Sequence, residues 1–499
     1  MMPSVRPTRT PLRAALAAGL ALLGSGCATL PHDGARSRLS QPYSVRREVQ
    51  ALSAAGLSRR DAWPAPRWWR AFRDPQLDRI VAEGLAGNPT LKVAAARLRL
   101  AESQAALARA ATLPSLDAQG EIDRQRLSDN GLIPPPFAGA ALTTGQLALN
   151  ASYDLDWWGK NRAALRAALS EARAARAESA AARLLLSTAV VGAYVSLQAD
   201  GERLDVAKHA AADRKALALL VDARVDHGLE DVSAFDEAAA ARERAHAQVI
   251  AAQAAVALDR QRLGVLIGKG PDAGAGIAMP RLSLPAALTV PERLPLELLA
   301  RRPDLAAQRA RVEAAAQRIH VARAGFYPDI NLAAMVGQQS FTLGQLLAPS
   351  SRMGSIGIAV DLPIFDGGRL RAVLHARNAE YDAAVETYNE LLLTAAGEVA
   401  HALTRLQAVA REGRAQRAAE AKAKQAYGLA RVRYTHGLSS YLDVLQAEQE
   451  LLAAHEAVVA VREAELHARV ELVQALGGGF VASGRRPATG PTRGSHARQ

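Results

Sequence analysis

In the stretch LNASYDLDWWGK, residues 149–160, apolar and polar side chains alternate strictly from Leu149 to Trp157. Its odd positions are apolar and include Tyr153 and Trp157, whereas its even positions are polar and include Asp154 and Asp156. A period of two residues is typical of a β-strand whose two faces meet different surroundings. The next segment is rich in Ala, Arg, Glu and Leu, which favour a long helix. The sequence therefore predicts a strand placed between helices.

The overall composition points to long helices and away from a nucleic-acid-binding protein. Aromatic residues make up 4% of the 499 residues, and the formal net charge is +12. Seven of the positive charges lie near the two ends of the chain, at Arg6, Arg9, Arg13, Arg485, Arg486, Arg493 and Arg498. The sequence has no basic patch interleaved with aromatic residues, so we exclude nucleic acid as a partner.

The N-terminus predicts export and lipidation. Arginines precede the apolar run 14–23, and small residues before Cys27 complete a secretory signal peptide over residues 1–26. The apolar run is too short to span a bilayer as a helix. Cys27 is the only cysteine and has no disulfide partner within the chain. Its position, with Ala28 behind it, resembles the acylated cysteine of an outer-membrane lipoprotein. The alternative is an ordinary signal peptide with an incidental cysteine.

Two parts of the chain repeat one pattern. NPTLKVAAARLRLAESQAALARAATLPSL begins at Asn88 and aligns without a gap with RPDLAAQRARVEAAAQRIHVARAGFYPDI, which begins at Arg302. The hexapeptides 224–229 and 433–438 also match. Prolines and glycines that align together are hard to obtain by chance, so we infer a duplication. The predicted organisation is a signal peptide (1–26), a lipidated N-terminal segment (27–85), a first structural repeat (86–290), a second structural repeat (291–477) and a disordered basic tail (478–499).

Both repeats predict the same order of elements, which is a helix, two strands and a long helical hairpin. The first helix has about 25 residues and ends at Pro114 or Pro328, because proline cannot continue it. The proline-free stretches 161–227 and 370–436 would each be about 100 Å long if helical. Apolar residues recur at intervals of seven in the last helix, which predicts supercoiled packing. The predicted strands are 114–123, 146–157, 329–337 and 355–365.

The predicted strands have the length of transmembrane β-strands, which cross a bilayer at a tilt in about 10 residues. Their lipid-facing side would include Leu147, Leu149, Ile356 and Ile358. Asp154 and Asp156 would line a water-filled lumen. A glycosidase-like acid/base pair is the weaker interpretation of the two carboxylates, because a polar lumen face accounts for both. Four strands cannot close a barrel without unpaired edges, so we expect three copies to supply twelve strands.

Short motifs between residues 63 and 476 carry a family resemblance. They are Trp68-Trp69 with Phe72, Asp74-Pro75 with Leu77, Asn88-Pro89, Tyr153-Asp154-Leu155-Asp156 with Trp158-Gly159-Lys160, Arg301-Arg302-Pro303-Asp304-Leu305, Phe326-Tyr327-Pro328 and Asp366-Gly367-Gly368-Arg369. In this order they resemble the TolC-type outer-membrane efflux proteins, in the lipoprotein branch that serves drug-efflux pumps. The resemblance implies a mainly α fold with membrane β, in which a trimer forms a 12-stranded β-barrel and a periplasmic α-helical barrel.

The resemblance also implies partners and a function. A periplasmic adaptor protein and an inner-membrane RND-type pump driven by proton flow would deliver drugs or other small toxic compounds. The channel would conduct them passively to the outside, with neither a catalytic role nor a cofactor.

The ends of the two hairpins acquire a role from the same resemblance. They would be the periplasmic tips, which constrict the pore and meet the adaptor, at Gly228, Leu229, Gly437 and Leu438. Both glycines suit a left-handed helix C-cap. Asp443 lies in a segment similar to the tips that carry gating aspartates, and three copies would form an acidic ring that favours cations. Asp236 is the less regular candidate in the first repeat. An exposed aspartate in the first turn of a helix is the equally weighted alternative for Asp443.

Functions of other classes are less consistent with the sequence. A periplasmic adaptor should have one helical hairpin inserted in a β-domain and not two tandem copies. An envelope enzyme should show a catalytic motif, and the sequence has no CxxC, HExxH, phosphate-binding loop or Gly-x-Ser-x-Gly elbow. Type I protein secretion stays open as an alternative within the channel class.

Overall fold

The computed structural model describes residues 34–41, 43, 63–283 and 301–481. The predicted signal peptide, Cys27 and residues 482–499 of the predicted tail lie outside the described residues. The chain packs as two compact units. Among the described residues, the sheet unit comprises 34–39, 99–174 and 308–388. The helix unit comprises 40–41, 43, 63–98, 175–283, 301–307 and 389–481.

The order of elements repeats once along the described chain. The helices are α1 (Pro75–Gly87), α2 (Pro89–Ala110), α3 (Lys160–Asp226), α4 (Val232–Leu266), α5 (Pro303–Ala324), α6 (Arg369–Thr435) and α7 (Tyr441–Ala475). The strands are β1 (Ser115–Arg126), β2 (Ala141–Asp154), β3 (Asp329–Ser340) and β4 (Arg352–Asp361). Equivalent helices have equal lengths, with 22 residues in α2 and α5, 67 in α3 and α6, and 35 in α4 and α7. The long helices predicted from the proline-free stretches are confirmed to within one residue.

Equivalent polar contacts hold the start of α2 and of α5 in the helix unit. Asn88 precedes Pro89, and its Nδ2 donates to the carbonyl of Leu266, the last residue of α4 (2.8 Å). Arg302 precedes Pro303, and its Nη1 donates to the carbonyl of Ala475, the last residue of α7 (3.3 Å). A helix end leaves carbonyls without a partner in the helix, so each contact satisfies one of them. In both repeats, therefore, the residue just before the first helix bonds to the end of the last helix, through a different side chain in each repeat.

The helix unit has its largest core around a short aromatic segment. Trp68, Trp69 and Phe72 are buried with Leu77 of α1 and with Tyr194 in the middle of α3. Two apolar ladders were predicted for α7, and each is buried in part, the first at Val444, Leu451 and Leu472 and the second at Val459, Leu466 and Val473. By length and composition alone, α3 includes a window apolar enough to cross a membrane, but 44% of that window is buried inside the protein. Burial of this kind is usual for a core helix.

The four strands form one antiparallel sheet in the order β1-β2-β3-β4. Within the described chain, β1 and β4 therefore pair on one side only. The predicted strand 146–157 is wrong at both ends, because β2 begins at Ala141 and ends at Asp154. Asp156 has a φ of +45°, which ends the extended backbone there. The apolar–polar alternation of the sequence continues beyond Asp154 into a turn, where side chains no longer point to alternate faces of a sheet.

Candidate functional site

The register divides the sheet into an apolar and a polar face. Opposed residues of antiparallel strands point to the same side, so Leu149 shares a face with Ala118 and Val336. The large apolar members of this face are Leu116, Ile122, Leu147, Leu149, Tyr153, Ile330, Leu332, Val336, Ile356, Ile358 and Val360. Toward the ends of the strands the same face carries Arg124, Arg126 and Arg352. The polar face has no Lys or Arg at any strand position and carries the carboxylates of Asp117, Glu121, Asp123, Asp154, Asp329 and Asp361.

Most of the apolar face is exposed within the described chain, although Leu343 and Leu346 from the segment after β3 lie against it at Gly145. Ile356 is 89% exposed, and Leu149 on the inner strand β2 is 45% exposed. A continuous exposed apolar face marks contact with lipid or with another protein. The four residues predicted to face lipid lie together on this face, and Asp154 lies on the other. Which face meets lipid stays a prediction.

Asp156, predicted as a lumen-facing strand residue, lies outside the strand and acts as a helix cap. Its carboxylate accepts the backbone N–H groups of Asn161 (2.9 Å) and Arg162 (3.0 Å) in the first turn of α3. Burial would raise the pKa of Asp156, but these hydrogen bonds and the Arg162 guanidinium outweigh it and lower the pKa. Asp366 does the same for α6, since it accepts the N–H of Leu370 (2.8 Å). A carboxylate that caps a helix in both repeats has a structural role.

Asp154 also contributes to this turn. Its Oδ1 accepts the N–H of Asp156 (2.8 Å), and its Oδ2 accepts the side chain of Asn161 (2.7 Å). Trp158 stacks on Tyr327 with 4.6 Å between ring centroids, and its indole N–H donates to a carbonyl at Pro328 (2.8 Å). The sequence motifs had marked these positions without revealing the contact. The contact between Trp158 and Tyr327 joins the end of β2 to the start of β3. It places an aromatic pair at the ends of these strands, and membrane strands commonly carry aromatics at their ends.

The two hairpin ends have the same backbone. Gly228 and Gly437 have φ values of +68° and +71°, so the predicted left-handed C-caps are confirmed. Leu229 donates its N–H to the carbonyl of Arg224 (2.8 Å), and Leu438 donates to that of Arg433 (2.8 Å). With the glycine N–H bonded three residues back, each turn is a Schellman motif. Leu229 and Leu438 are about two-thirds exposed.

Asp443 belongs to a capping box. Ser440 donates its backbone N–H and its hydroxyl to the Asp443 carboxylate (both 2.9 Å), while the N–H of Asp443 points back to the Ser440 oxygen (3.4 Å). The hydrogen bonds from Ser440 hold the pKa of Asp443 below its usual value. The side chain is exposed, so the charge faces solvent. A helix-capping contact is therefore present, and a pore-gate role stays a prediction.

Asp236 is not the counterpart of Asp443. Asp443 is the third residue of α7, and the third residue of α4 is Ala234. The cap of α4 is Asp231, whose carboxylate accepts the N–H of Ser233 (3.1 Å). Asp236 is the fifth residue of α4 and is exposed. The structure thus separates the two predicted gate residues into non-equivalent positions.

Contacts between the two hairpins were missed by the sequence reasoning. Near the ends, the Arg224 guanidinium lies 4.9 Å above the buried ring of Tyr434 and pairs with Glu230 (3.4 Å). Further along the helices, Arg214 of α3 and Glu448 of α7 form a buried ion pair (3.3 Å). Glu448 lies four residues after Val444 and three before Leu451, so a charge beside the apolar residues of α7 was the available signal.

A search of the described residues for clustered metal-ligating side chains gives a negative result. The side chains of His, Cys, Asp and Glu form no group of three or more that could hold a metal ion among the described residues. Some buried polar groups cap helix ends, as Asn88 does for α4, and others form ion pairs between helices, as Arg214 and Glu448 do. The arrangement offers two distinct surfaces, an amphipathic sheet and a pair of exposed hairpin ends.

Comparison with known proteins gives this arrangement a family. The profile of the outer membrane efflux protein family matches residues 80–269 and 294–478, one stretch in each repeat. The chain belongs to the outer membrane efflux protein family. The chain is 34% identical to the multidrug resistance outer membrane protein MdtP of Escherichia coli K12 over 93% of this chain and 96% of that protein. It is 39% identical to the fusaric acid resistance protein FusA of Burkholderia cepacia over 72% of this chain and 68% of that protein.

Solved structures of outer-membrane channels have the same fold. The outer membrane protein VceC of Vibrio cholerae superposes with a TM-score of 0.79 at 37% identity, covering 84% of this chain and all of that one. The channel CmeC of Campylobacter jejuni superposes with a TM-score of 0.84 at 25% identity, over 90% and 96% of the two chains. This efflux protein therefore has the predicted TolC-type fold and is an outer-membrane channel protein. Its family is one of channels and not of enzymes, which sets the adaptor and envelope-enzyme interpretations aside.

Proposed function

We propose that the chain forms a trimeric outer-membrane channel of a tripartite efflux system, which conducts small toxic compounds passively to the outside. The observation that carries this proposal is the four-stranded sheet with one apolar face and two open edges. Unpaired backbone groups are not tolerated in the hydrocarbon layer, so β1 and β4 need partners from other copies. Three copies would supply twelve strands, enough for an open lumen.

The charge of the polar face supports a water-filled interior. Six carboxylates without a basic residue would be costly against lipid, whereas hydrated carboxylates are compatible with a lumen. The apolar face on the other side offers Leu147, Leu149, Ile356 and Ile358 to lipid. In this assembly Asp154 would border the lumen, and Asp156 would only shape the turn beside it.

A periplasmic adaptor and an inner-membrane RND-type pump would complete the system. The exposed leucines beside Gly228 and Gly437 offer apolar surface for contact with an adaptor. The relatives named for multidrug and fusaric acid resistance favour small compounds as cargo. Protein secretion finds no such support. The channel itself would need no cofactor and would catalyse no reaction.

Drug susceptibility of a deletion strain tests the proposal. Loss of the gene should raise the accumulation of several unrelated small compounds, and the wild-type chain should restore their efflux. Heat-resistant trimers should be present in the outer-membrane fraction of the complemented strain. Restored secretion of a protein with unchanged drug susceptibility would favour type I secretion instead, and a soluble monomer would overturn the channel.

Acylation of Cys27 is a separate proposal, which rests on the signal pattern. Labelled palmitate should enter the wild type and not Cys27→Ser, and equal labelling of both would contradict it. Efflux should survive the substitution, because a twelve-stranded barrel anchors the trimer more firmly than acyl chains do.

A further inference from the structure

The two equivalent helices α2 and α5 differ sharply in burial. In α5 the buried residues include Leu305, Ala307, Gln308, Ala310, Val312, Ala314, Ala315, Ile319, Ala322 and Ala324. In α2, which has the same length and position in its repeat, Ala105 alone is buried. Two copies of one element should bury similar faces, so α2 lacks a neighbour that α5 has.

The bare side of α2 is an apolar stripe. Val93, Leu100 and Leu107 recur at intervals of seven and are 50%, 59% and 73% exposed. Their equivalents include Ala307 and Ala314 of α5, which are 2% and 0% exposed. Apolar residues at sevenfold spacing are typical of a seam against another helix. The missing neighbour of α2 is therefore a helix.

The contacts of α5 in the sheet unit identify which helix is missing. On the side of α3, which belongs to the other repeat, Arg173 pairs with Glu313 (2.7 Å) and Glu171 pairs with Arg318 (2.8 Å). On the side of α6, Gln308 donates to the carbonyl of Ala384 (2.9 Å). A helix of the α5 type thus contacts the long helix of its own repeat and the long helix of the other repeat. The long helix of the other repeat is α6 in the case of α2. Within the chain, however, α6 contacts α5.

One of the two ion pairs has an equivalent with complementary charges; the other maps to Glu380 and Gln104 and does not. Helices α2 and α5 start at residues 89 and 303, so the equivalent of Glu313 is Arg99. Helices α3 and α6 start at 160 and 369, so the equivalent of Arg173 is Asp382. The pair is preserved with its charges exchanged, and Arg99 is exposed in the single chain. An exchanged charge pair keeps the attraction at the same place.

We propose that the α2 stripe packs on the first part of α6 of a second copy, with Arg99 paired to Asp382 across the interface. The occupant is a second copy of this chain, and the assignment rests on the trimer proposed above. Asp382 also holds its own N-terminal segment, since Oδ1 accepts the N–H groups of Arg36 and Ser37 (both 2.8 Å). The interface would thus join two copies beside the segment that follows the acylated cysteine.

Charge reversal tests the pair on the full-length trimer in outer-membrane fractions. Arg99→Glu places two carboxylates opposite each other at three interfaces, so the fraction of trimer that survives mild heating should fall about fivefold or more. Asp382→Arg should do the same, and the double variant should recover most of the loss. Arg109→Glu is the matched control, an exposed arginine on the same helix, and should leave the trimer intact.

Cross-linking gives a second readout that does not depend on stability. Arg99→Cys and Asp382→Cys together should yield covalently linked copies with a short bismaleimide, whereas each single variant should not. Intact wild-type trimers with no cross-link and no recovery in the charge-swapped double variant would overturn the pairing and leave the channel function standing. Absence of trimers from the wild type would instead overturn the proposed function.

Discussion

The two helical hairpins have the same backbone but different buried contacts. Helix lengths, glycine positions and turn hydrogen bonds coincide at both ends. The buried ion pair between Arg214 and Glu448 has no second example, because the equivalent positions are Ala423 and Ala239. The second hairpin end also carries buried tyrosines where the first has Val225 and Val232. Backbone signals thus persisted after duplication, while contacts between the hairpins diverged.

The largest expected effect concerns the buried ion pair between Arg214 and Glu448, whose equivalent positions in the repeat hold alanines. Glu448→Ala should lower the free energy of unfolding by about 3–5 kcal/mol, because it leaves the Arg214 guanidinium buried without its partner. Burial raises the pKa of Glu448 because it disfavours the charged carboxylate, and the Arg214 guanidinium only partly opposes this rise. Replacing both residues with alanine, as at the equivalent positions, should cost less than the single change. Denaturant titration measures this; a loss no greater than for exposed Glu450→Ala would contradict it.

The next effect compares the two faces of the sheet. Leu149→Arg should cost about 2–4 kcal/mol if the apolar face meets the middle of the bilayer, while Asn150→Arg on the polar face should be mild. Ile356→Arg should resemble Leu149→Arg despite lying on an edge strand, because both share the apolar face. Unfolding from lipid vesicles gives the free energies. Equal tolerance of both faces would show that the assignment of faces is wrong.

A smaller and symmetric effect is expected at the hairpin turns. Gly228→Ala and Gly437→Ala should each cost about 1–2 kcal/mol, because both positions are left-handed and a Cβ would meet nothing within 4 Å. Gly397→Ala, within helix α6 and equally open, should instead stabilise by about 0.5–1 kcal/mol. Thermal unfolding separates the two signs. Unequal losses at the two turns would indicate that they differ in backbone strain as well as in side chains.

The smallest effect on stability concerns the cap of α7. Ser440→Ala should cost about 1 kcal/mol through the lost cap and leave ion selectivity unchanged. Asp443→Ala should lower cation selectivity or raise conductance if three carboxylates border the pore, and Asp236→Ala should do less. Because the pKa of Asp443 is lowered, its charge and its cap persist at neutral pH and are lost only as pH falls through that pKa. Single-channel recording decides, and unchanged currents in Asp443→Ala would leave only the capping role.

Local signals were sufficient for most of the fold. The absence of proline over two long stretches indicated helices that end within one residue of the observed bounds. Glycine was the residue that could adopt a positive φ at the hairpin ends, so Gly228 and Gly437 marked the turns. Alternation of side chains separated the faces around Leu149, because successive strand residues point to opposite sides. These features depend on backbone geometry, which a short stretch of sequence determines.

Tertiary structure decided where the polar groups act. Asp156 continued the alternation of a strand, yet the first turn of α3 supplies N–H donors that turn it into a cap. The partner of Glu448 is 234 residues away along the chain, so no local pattern could have named Arg214. The bare stripe of α2 became visible only beside the buried face of α5. The sequence by itself determined most of the segments that are helix, strand and turn. Packing between distant segments decided which charges are paired, because the burial of a side chain and its distance from a partner are set only when the helices pack together.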